Sequence, residues 1–405
     1  EDPHAPGHSE LRYRPDVDGL RAVAVLAVVF YHYGFWQVPG GFVGVDIFFV
    51  ISGFLITGLI HRQMRENRFT IRQFYERRIR RIFPALFVML AAASVAAWML
   101  LFPLDFEAYA NSLIATAFFG ANIEFWREVG YFDIAASLKP LLHLWSIAVE
   151  EQFYLIFPAV LLLIGTSSRA KLLAVVGVLF ALSFGFSVWA VGHDTSAAFY
   201  LLPSRTWELM LGALLALAPL PSVGRMWRNL IGALGAALIA WTIWTYQSWM
   251  PFPGVAALAP CLGALLLIYA GGENNAISKV LSAKPVVFVG LISYSLYLWH
   301  WPILVFTQIA LNRALLPWET AVCIAASFTL ATLSWRFVEL PIRRRKTLAW
   351  KPLFSGAAAA MAVTALGGVA VASAQGVPQR LQPELHNILA EERNHEPRMD
   401  ICFGL

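Results

Sequence analysis

Apolar residues gather into long runs separated by short charged loops, and twelve such segments follow one another along the chain. Several exceed the roughly 20 residues that a helix needs to cross a bilayer, among them 82–102, 170–191 and 286–311. A single soluble core does not account for runs of this length. The predicted elements are membrane-crossing helices, and the placement of Lys and Arg between them decides which segments cross. With the N-terminal stretch, carrying Arg12, Arg14 and Arg21, on the cytoplasmic side, loop 33–42 has no Lys or Arg and loop 61–81 has eight Arg. Segment 106–126 is interrupted by Glu107, Asn111, Asn122 and Glu124. Counted as a span it would invert every later loop, so it reads as a re-entrant or interfacial helix. Eleven spans remain, at 20–36, 43–60, 82–102, 144–164, 172–191, 203–218, 229–247, 254–271, 286–311, 316–338 and 352–374. Arg169, Lys171, Arg225, Arg228, Lys279, Lys284 and the basic run 343–346 then all fall on the cytoplasmic side, leaving Arg127, Lys139, Arg205 and Arg313 outside.

Composition agrees with this reading. Of 405 residues, 59% are hydrophobic and 14% charged, against about a quarter charged in a soluble domain. Cys261 and Cys323 lie inside apolar runs and Cys402 in a polar tail, which excludes a disulfide framework or a Cys-rich metal site, and no metal is expected. The first apolar run leads into Gly-rich sequence with no small-residue cleavage site, so it is expected to stay as a span. Residues 1–10 read as a tag-like or disordered start. Segment 352–374, rich in Ala, Gly and Val, suits an anchor, and 375–405 a polar linker outside. No internal repeat of the secondary-transporter kind is visible.

Ionisable residues within spans are costly and point to function by default. Arg21 and His32, eleven positions apart, share one face of the first span and stand about 16 Å apart along it. Asp46 enters the second span, and His143 and Glu150, seven apart, share a face of the fourth. Arg205 and Glu208 begin the sixth span, and His300 falls within the ninth. Arg72, Arg77, Arg78, Arg80 and Arg81 crowd the cytoplasmic mouth. A His beside a carboxylate can deprotonate a hydroxyl, which suits His32 with Glu150 or Asp46. The Arg cluster, with Arg14 and Arg21, can hold the phosphates of a nucleotide-bearing donor through charge-assisted bonds. Each signal also has a plainer reading. The Arg-rich loop serves topology or anionic-lipid anchoring, His143 and His300 sit among aromatics as packing or hydrogen-bonding residues, and Arg205 and Glu208 pair one turn apart. Asp46 suits a helix N-terminus.

Taken in order, these residues form a pattern. It comprises Asp18-Gly19-Leu20-Arg21 with His32 after ten residues, the run from Gly44-Val45-Asp46 to Ser52-Gly53, and the basic stretch from Arg77 to Pro84. It continues with His143-Leu144-Trp145-Ser146 through Glu150 to Tyr154, then Tyr294-Ser295-Leu296-Tyr297-Leu298-Trp299-His300-Trp301-Pro302, then Phe337-Val338-Glu339-Leu340-Pro341. The pattern resembles the acyltransferase-3 membrane proteins, in the branch that carries a fused SGNH-type domain. The resemblance implies an all-α polytopic fold, with a ten-helix acyltransferase bundle over 11–346, an eleventh transmembrane helix over 347–374 and an extracytoplasmic linker over 375–405. An SGNH-like domain expected after the linker is missing here, and Cys402 would have lost a partner with it. The resemblance further implies acetyl-CoA as donor and O-acetylation of an envelope glycan such as lipopolysaccharide O-antigen. It places the protein in the bacterial inner membrane with a cytoplasmic N-terminus and a periplasmic tail. Essential roles are implied for His32 and Glu150, with His32 either deprotonating the acceptor hydroxyl or taking the acyl group itself before passing it on, and donor contacts for Arg77/Arg80 or Arg78/Arg81. His143, Arg205, Glu208 and His300 remain as substrate or structural support, and no nucleic-acid partner is expected. A glycan or lipid transporter without chemistry, or an acyl conduit serving a separate SGNH enzyme, competes with this reading.

Overall fold

The computed structural model describes residues 13–128, 138–165, 168–219, 221, 223–272, 275–344 and 349–381. The start 1–10, Cys402 and the tail beyond 381 lie outside the described residues. No strand occurs among the described residues. The chain opens with α1 (Pro15–His32), α2 (Gly44–Arg65), α3 (Ile71–Leu100), α4 (Pro103–Ala117), α5 (Ala121–Arg127), α6 (Leu144–Ile164), α7 (Arg169–Val191) and α8 (Thr195–Tyr200). It continues with α9 (Leu202–Leu217), α10 (Arg225–Thr245), α11 (Leu258–Ala270), α12 (Ala276–Leu281) and α13 (Lys284–Leu311). A π turn, Trp335–Glu339, joins α14 (Pro317–Ser334) to α15 (Leu340–Arg344), and α16 (Trp350–Ser373) ends the bundle.

Eight of these stretches are long and apolar enough to cross a membrane: those of α2, α3, α6, α7, α10, α13, α14 with α15, and α16. The three other predicted spans coincide with α1, which carries Asp16, Asp18 and Arg21 early, and with the shorter α9 and α11. The protein is an all-α polytopic membrane protein. Helix α3 begins well before the predicted span. Arg is a good helix former, so the basic stretch propagates the helix outward until Thr70 caps it by accepting the Gln73 N–H at 3.3 Å. Segment 106–126 is a broken pair, α4 with 15 residues and α5 with 7, interrupted at Phe119 with φ of 54°. Neither is long enough to span.

Lipid tails are as apolar as Leu, so small residues decide where these helices meet. At the α2–α9 crossing a Cβ on Gly53 would fall 1.9 Å from the Leu209 carbonyl oxygen, and one on Gly212 would fall 2.0 Å from that of Val50. Helix α1 lies equally close to α13, which brings His32 and His300 to one level. Helix α16 packs on α4 and α3. Beyond it Arg380 donates to the carbonyls of Trp98 and Leu101 and stacks 4.6 Å over Phe106.

Candidate active site

Two adjoining cavities lie among the helices that carry the candidate residues. The larger, about 290 Å³, has Arg21, Arg78, Arg81, Ser52, Glu150 and Glu151 on its polar wall. The smaller, about 60 Å³, is lined by His32, His143 and Arg205 within a ring of aromatics that includes Phe42, Trp145, Phe199, Phe252 and Trp301. Val45 and Tyr297 line both and so stand between them. The Tyr297 hydroxyl is tied in place, donating to the His143 carbonyl at 2.8 Å and lying 2.7 Å from Ser146 Oγ.

At the basic end the structure separates the two Arg-x-x-Arg pairs. Arg77 donates to Gln63 at 2.9 Å, and Arg80 to Glu76 at 2.8 Å and to the Ile342 carbonyl at 3.4 Å. Arg78 and Arg81 face the cavity, with Arg78 5.1 Å over the Tyr154 ring. Arg72 lies 5.4 Å over Trp350, outside the cavity wall. Arg21 pairs with Asp18 at 3.2 Å, and Asp18 also accepts from the Tyr13 hydroxyl at 2.7 Å. Desolvation, then the hydrogen bond to Asp18, push the Tyr13 phenol up to about 12, so it stays a donor. Arg14 corrects an expectation. It is held by Asp16 at 2.6 Å and by the Ile268 carbonyl at 2.9 Å, and it fastens the start of α1 to the end of α11 instead of facing the cavity.

The carboxylates also fall differently from the expected couplings. Glu150 accepts from Ser52 and Tyr154 in the larger cavity, and His32 lies in the smaller one. Asp46 bonds Arg205 at 3.0 Å, and Arg205 reaches Glu208 at 2.9 Å. All three are fully buried. The Arg205 guanidinium is ringed by Phe49, Trp145, Phe199 and Phe252, with centroids 5.5 to 5.8 Å away. The partner of His32 is neither carboxylate but His300, whose Nε2 lies 3.0 Å from His32 Nδ1. The two rings stack with an 11° interplanar angle, and Trp301 meets His32 edge-on at 4.6 Å.

Local sequence explains the third histidine. Pro302 sits inside α13 and has no N–H, so the Leu298 carbonyl four residues earlier has no helical donor. His143 Nε2 takes that oxygen at 3.2 Å, and His143 Nδ1 is buried without a partner. Thus the His-Trp-Pro sequence contributes His300 directly and fixes His143 through a freed carbonyl. Ser52, Tyr154, Tyr297 and Trp301 escaped selection as site residues, although each lies in a motif quoted above. Among the described residues no group of three His, Cys, Asp or Glu side chains is arranged to hold a metal ion.

A helical bundle with a basic cavity, a tyrosine partition and a small histidine pocket defines a multi-pass membrane protein with a polar site buried among its helices. A family model described as an acyltransferase domain matches residues 14–336, and the chain belongs to that family, acyltransferase-3. The chain is similar to the peptidoglycan O-acetyltransferase OatA of Listeria monocytogenes, 35% identical over 82% of this chain and 56% of the relative. It is also similar to YrhL of Bacillus subtilis, provisionally named for the same activity, 34% identical over 82% of this chain and 55% of the relative. A Staphylococcus aureus protein provisionally named an O-acetyltransferase is 32% identical over 86% of this chain and 60% of the relative. The chain therefore spans little more than half the length of these relatives. No solved structure matches it.

Proposed function

We propose that this chain is the membrane domain of an O-acetyltransferase that takes an acetyl group from cytoplasmic acetyl-CoA and delivers it across the bilayer to a hydroxyl of an envelope glycan. The observation that carries the reading is the pair of cavities meeting at Val45 and Tyr297, cationic at one end and lined by histidine at the other. Arg78, Arg81 and Arg21 supply bidentate donors suited to the phosphates of the coenzyme. Its long thin arm follows the larger cavity and presents the thioester to His32, about 16 Å along α1 from Arg21. The small cavity, about 60 Å³, is of a size that suits an acetyl group.

The N-terminus lies in the cytoplasm of a bacterial cell and α16 leads outward through the inner membrane. The names of the relatives favour a peptidoglycan hydroxyl as acceptor over the lipopolysaccharide O-antigen suggested by the motif pattern. An SGNH-type domain, in the same polypeptide or apart, is the partner that would carry the acetyl group further. The test uses purified protein in lipid vesicles with acetyl-CoA and peptidoglycan fragments, and it measures free thiol. Release of CoA that His32→Ala abolishes supports the reading, with release only after addition of an SGNH domain assigning the conduit role. Movement of glycan without thiol release would identify a transporter and overturn it.

A further inference from the structure

We infer that His300 is a positioning residue that fixes the tautomer of His32, so that Nε2 of His32 carries the lone pair. Two carbonyl groups of α13 fix the proton on His300. The His300 ring folds back onto the preceding turn of α13, as long side chains in helices do, and sets Nδ1 2.7 Å from the Tyr297 oxygen and 3.2 Å from the Leu296 oxygen. Carbonyl oxygens only accept, so Nδ1 carries the proton. A neutral imidazole then has a bare Nε2, and this atom lies 3.0 Å from His32 Nδ1. Two bare nitrogens make no hydrogen bond, so His32 Nδ1 is the donor and the other ring nitrogen of His32 holds the lone pair.

The reverse arrangement would set a lone pair of His300 against two carbonyl oxygens. Protonating both of its nitrogens would place a cation on a fully buried ring with no carboxylate among its hydrogen-bond partners. Backbone carbonyls do not titrate. The assignment therefore holds wherever both rings are neutral. The logic is that of an orienting third group behind a catalytic imidazole, with the orienting group here a second imidazole anchored by the helix itself. Tyr33 steadies the same turn by donating to the His300 carbonyl at 3.2 Å.

The chemical consequence rests on the proposed acetyl transfer, whereas the tautomer rests on geometry alone. In that transfer His32 Nε2 takes the proton of the acceptor hydroxyl while the hydroxyl oxygen bonds to the acetyl carbon. The carbon–sulfur bond breaks, and the departing thiolate recovers the proton from Nε2. As His32 becomes cationic its Nδ1–H bond to His300 strengthens, which favours the loaded state.

The test compares His300→Gln, whose side-chain oxygen can stand where Nε2 stood, with His300→Phe, which fills the space without an acceptor. The expected result is a fall in kcat of about 100-fold or more for the Phe variant, at unchanged KM for acetyl-CoA in protein that melting curves show to be folded. The Gln variant should stay within about tenfold of the parent. A Phe variant as fast as the parent, or folded Gln and Phe variants that fall equally, would overturn the inference. A second measurement needs no activity: nitrogen-15 spectra of histidine-labelled protein in lipid nanodiscs, with His32 assigned by its loss in His32→Gln. Proton on Nδ1 and none on Nε2 of His32 supports the inference, and proton on Nε2 overturns it. Because that spectrum is read without turnover, a protein that fails to release CoA would sink the proposed function and leave the tautomer separately decided.

Discussion

Replacing Arg78 and Arg81 by Gln removes two guanidinium groups from the wall of the larger cavity and keeps the first two methylenes of each side chain in place. A hydrogen bond to a charged group contributes about 1.5–3 kcal/mol, and each 1.4 kcal/mol is about tenfold in affinity. Either single change should therefore raise the KM for acetyl-CoA by about 10- to 100-fold. The double change should fall short of the product, because the two groups share one anion and couple. The value of kcat should move little. On the proposed donor path the phosphates would lie about 16 Å from the reacting carbon, so the lost contacts would bind donor and transition state alike. Arg77→Gln is the control, since Arg77 donates to Gln63 away from the cavity. The assay is the initial rate of thiol release against acetyl-CoA concentration, with melting curves to confirm that loss of the Arg78 contact to Tyr154 leaves the fold intact. An unchanged KM in Arg78→Gln and Arg81→Gln, with a raised KM in Arg77→Gln, would refute the assignment of the donor end.

Phe252 closes the small cavity, stacking edge-on against Phe42 at 5.0 Å, so Phe252→Ala should raise the propionyl-to-acetyl ratio of kcat/KM by about tenfold, as one methylene in a pocket is worth; competing-donor assays measure it. Arg205→Met leaves Asp46 and Glu208 buried without a cation, at a cost of about 3–5 kcal/mol. The melting temperature should drop accordingly and recover when Asp46→Asn and Glu208→Gln are added. Gly53→Val drives side-chain atoms into the Leu209 backbone and should prevent accumulation of folded protein, read by size-exclusion chromatography in detergent.

Much of this architecture is legible in sequence because membranes impose length. A run such as 144–164 can only be one crossing, and α6 has those bounds. The onset of α3 is not legible by hydropathy, because its first turns are built from arginines that favour helix without favouring lipid. The site shows the same division. Counting along a helix gives depth at 1.5 Å per residue, and Arg21 and His32 of α1 line different cavities. It gives no azimuth between helices. His32 and Glu150 line different cavities, and Asp46 turns toward Arg205. The choice of Arg78 and Arg81 over Arg77 and Arg80 is likewise a matter of which face of α3 meets the cavity. His300 could be found in sequence as a polar residue within a span. Its role depends on the close approach of α1 to α13, where a Cβ on Gly290 would lie 1.9 Å from the Asp18 carbonyl oxygen, and on the turn of carbonyls behind its ring.

The central claim is passage of an acetyl group from one side of the membrane to the other through His32. It is tested most directly by vesicles carrying protein of one orientation, with radiolabelled acetyl-CoA supplied only at the face bearing Arg78 and Arg81 and peptidoglycan fragments enclosed at the other. The account predicts labelled O-acetyl ester on the enclosed glycan, absent in His32→Ala. Label on glycan only when donor and acceptor share one side, or equal labelling in His32→Ala, would contradict it.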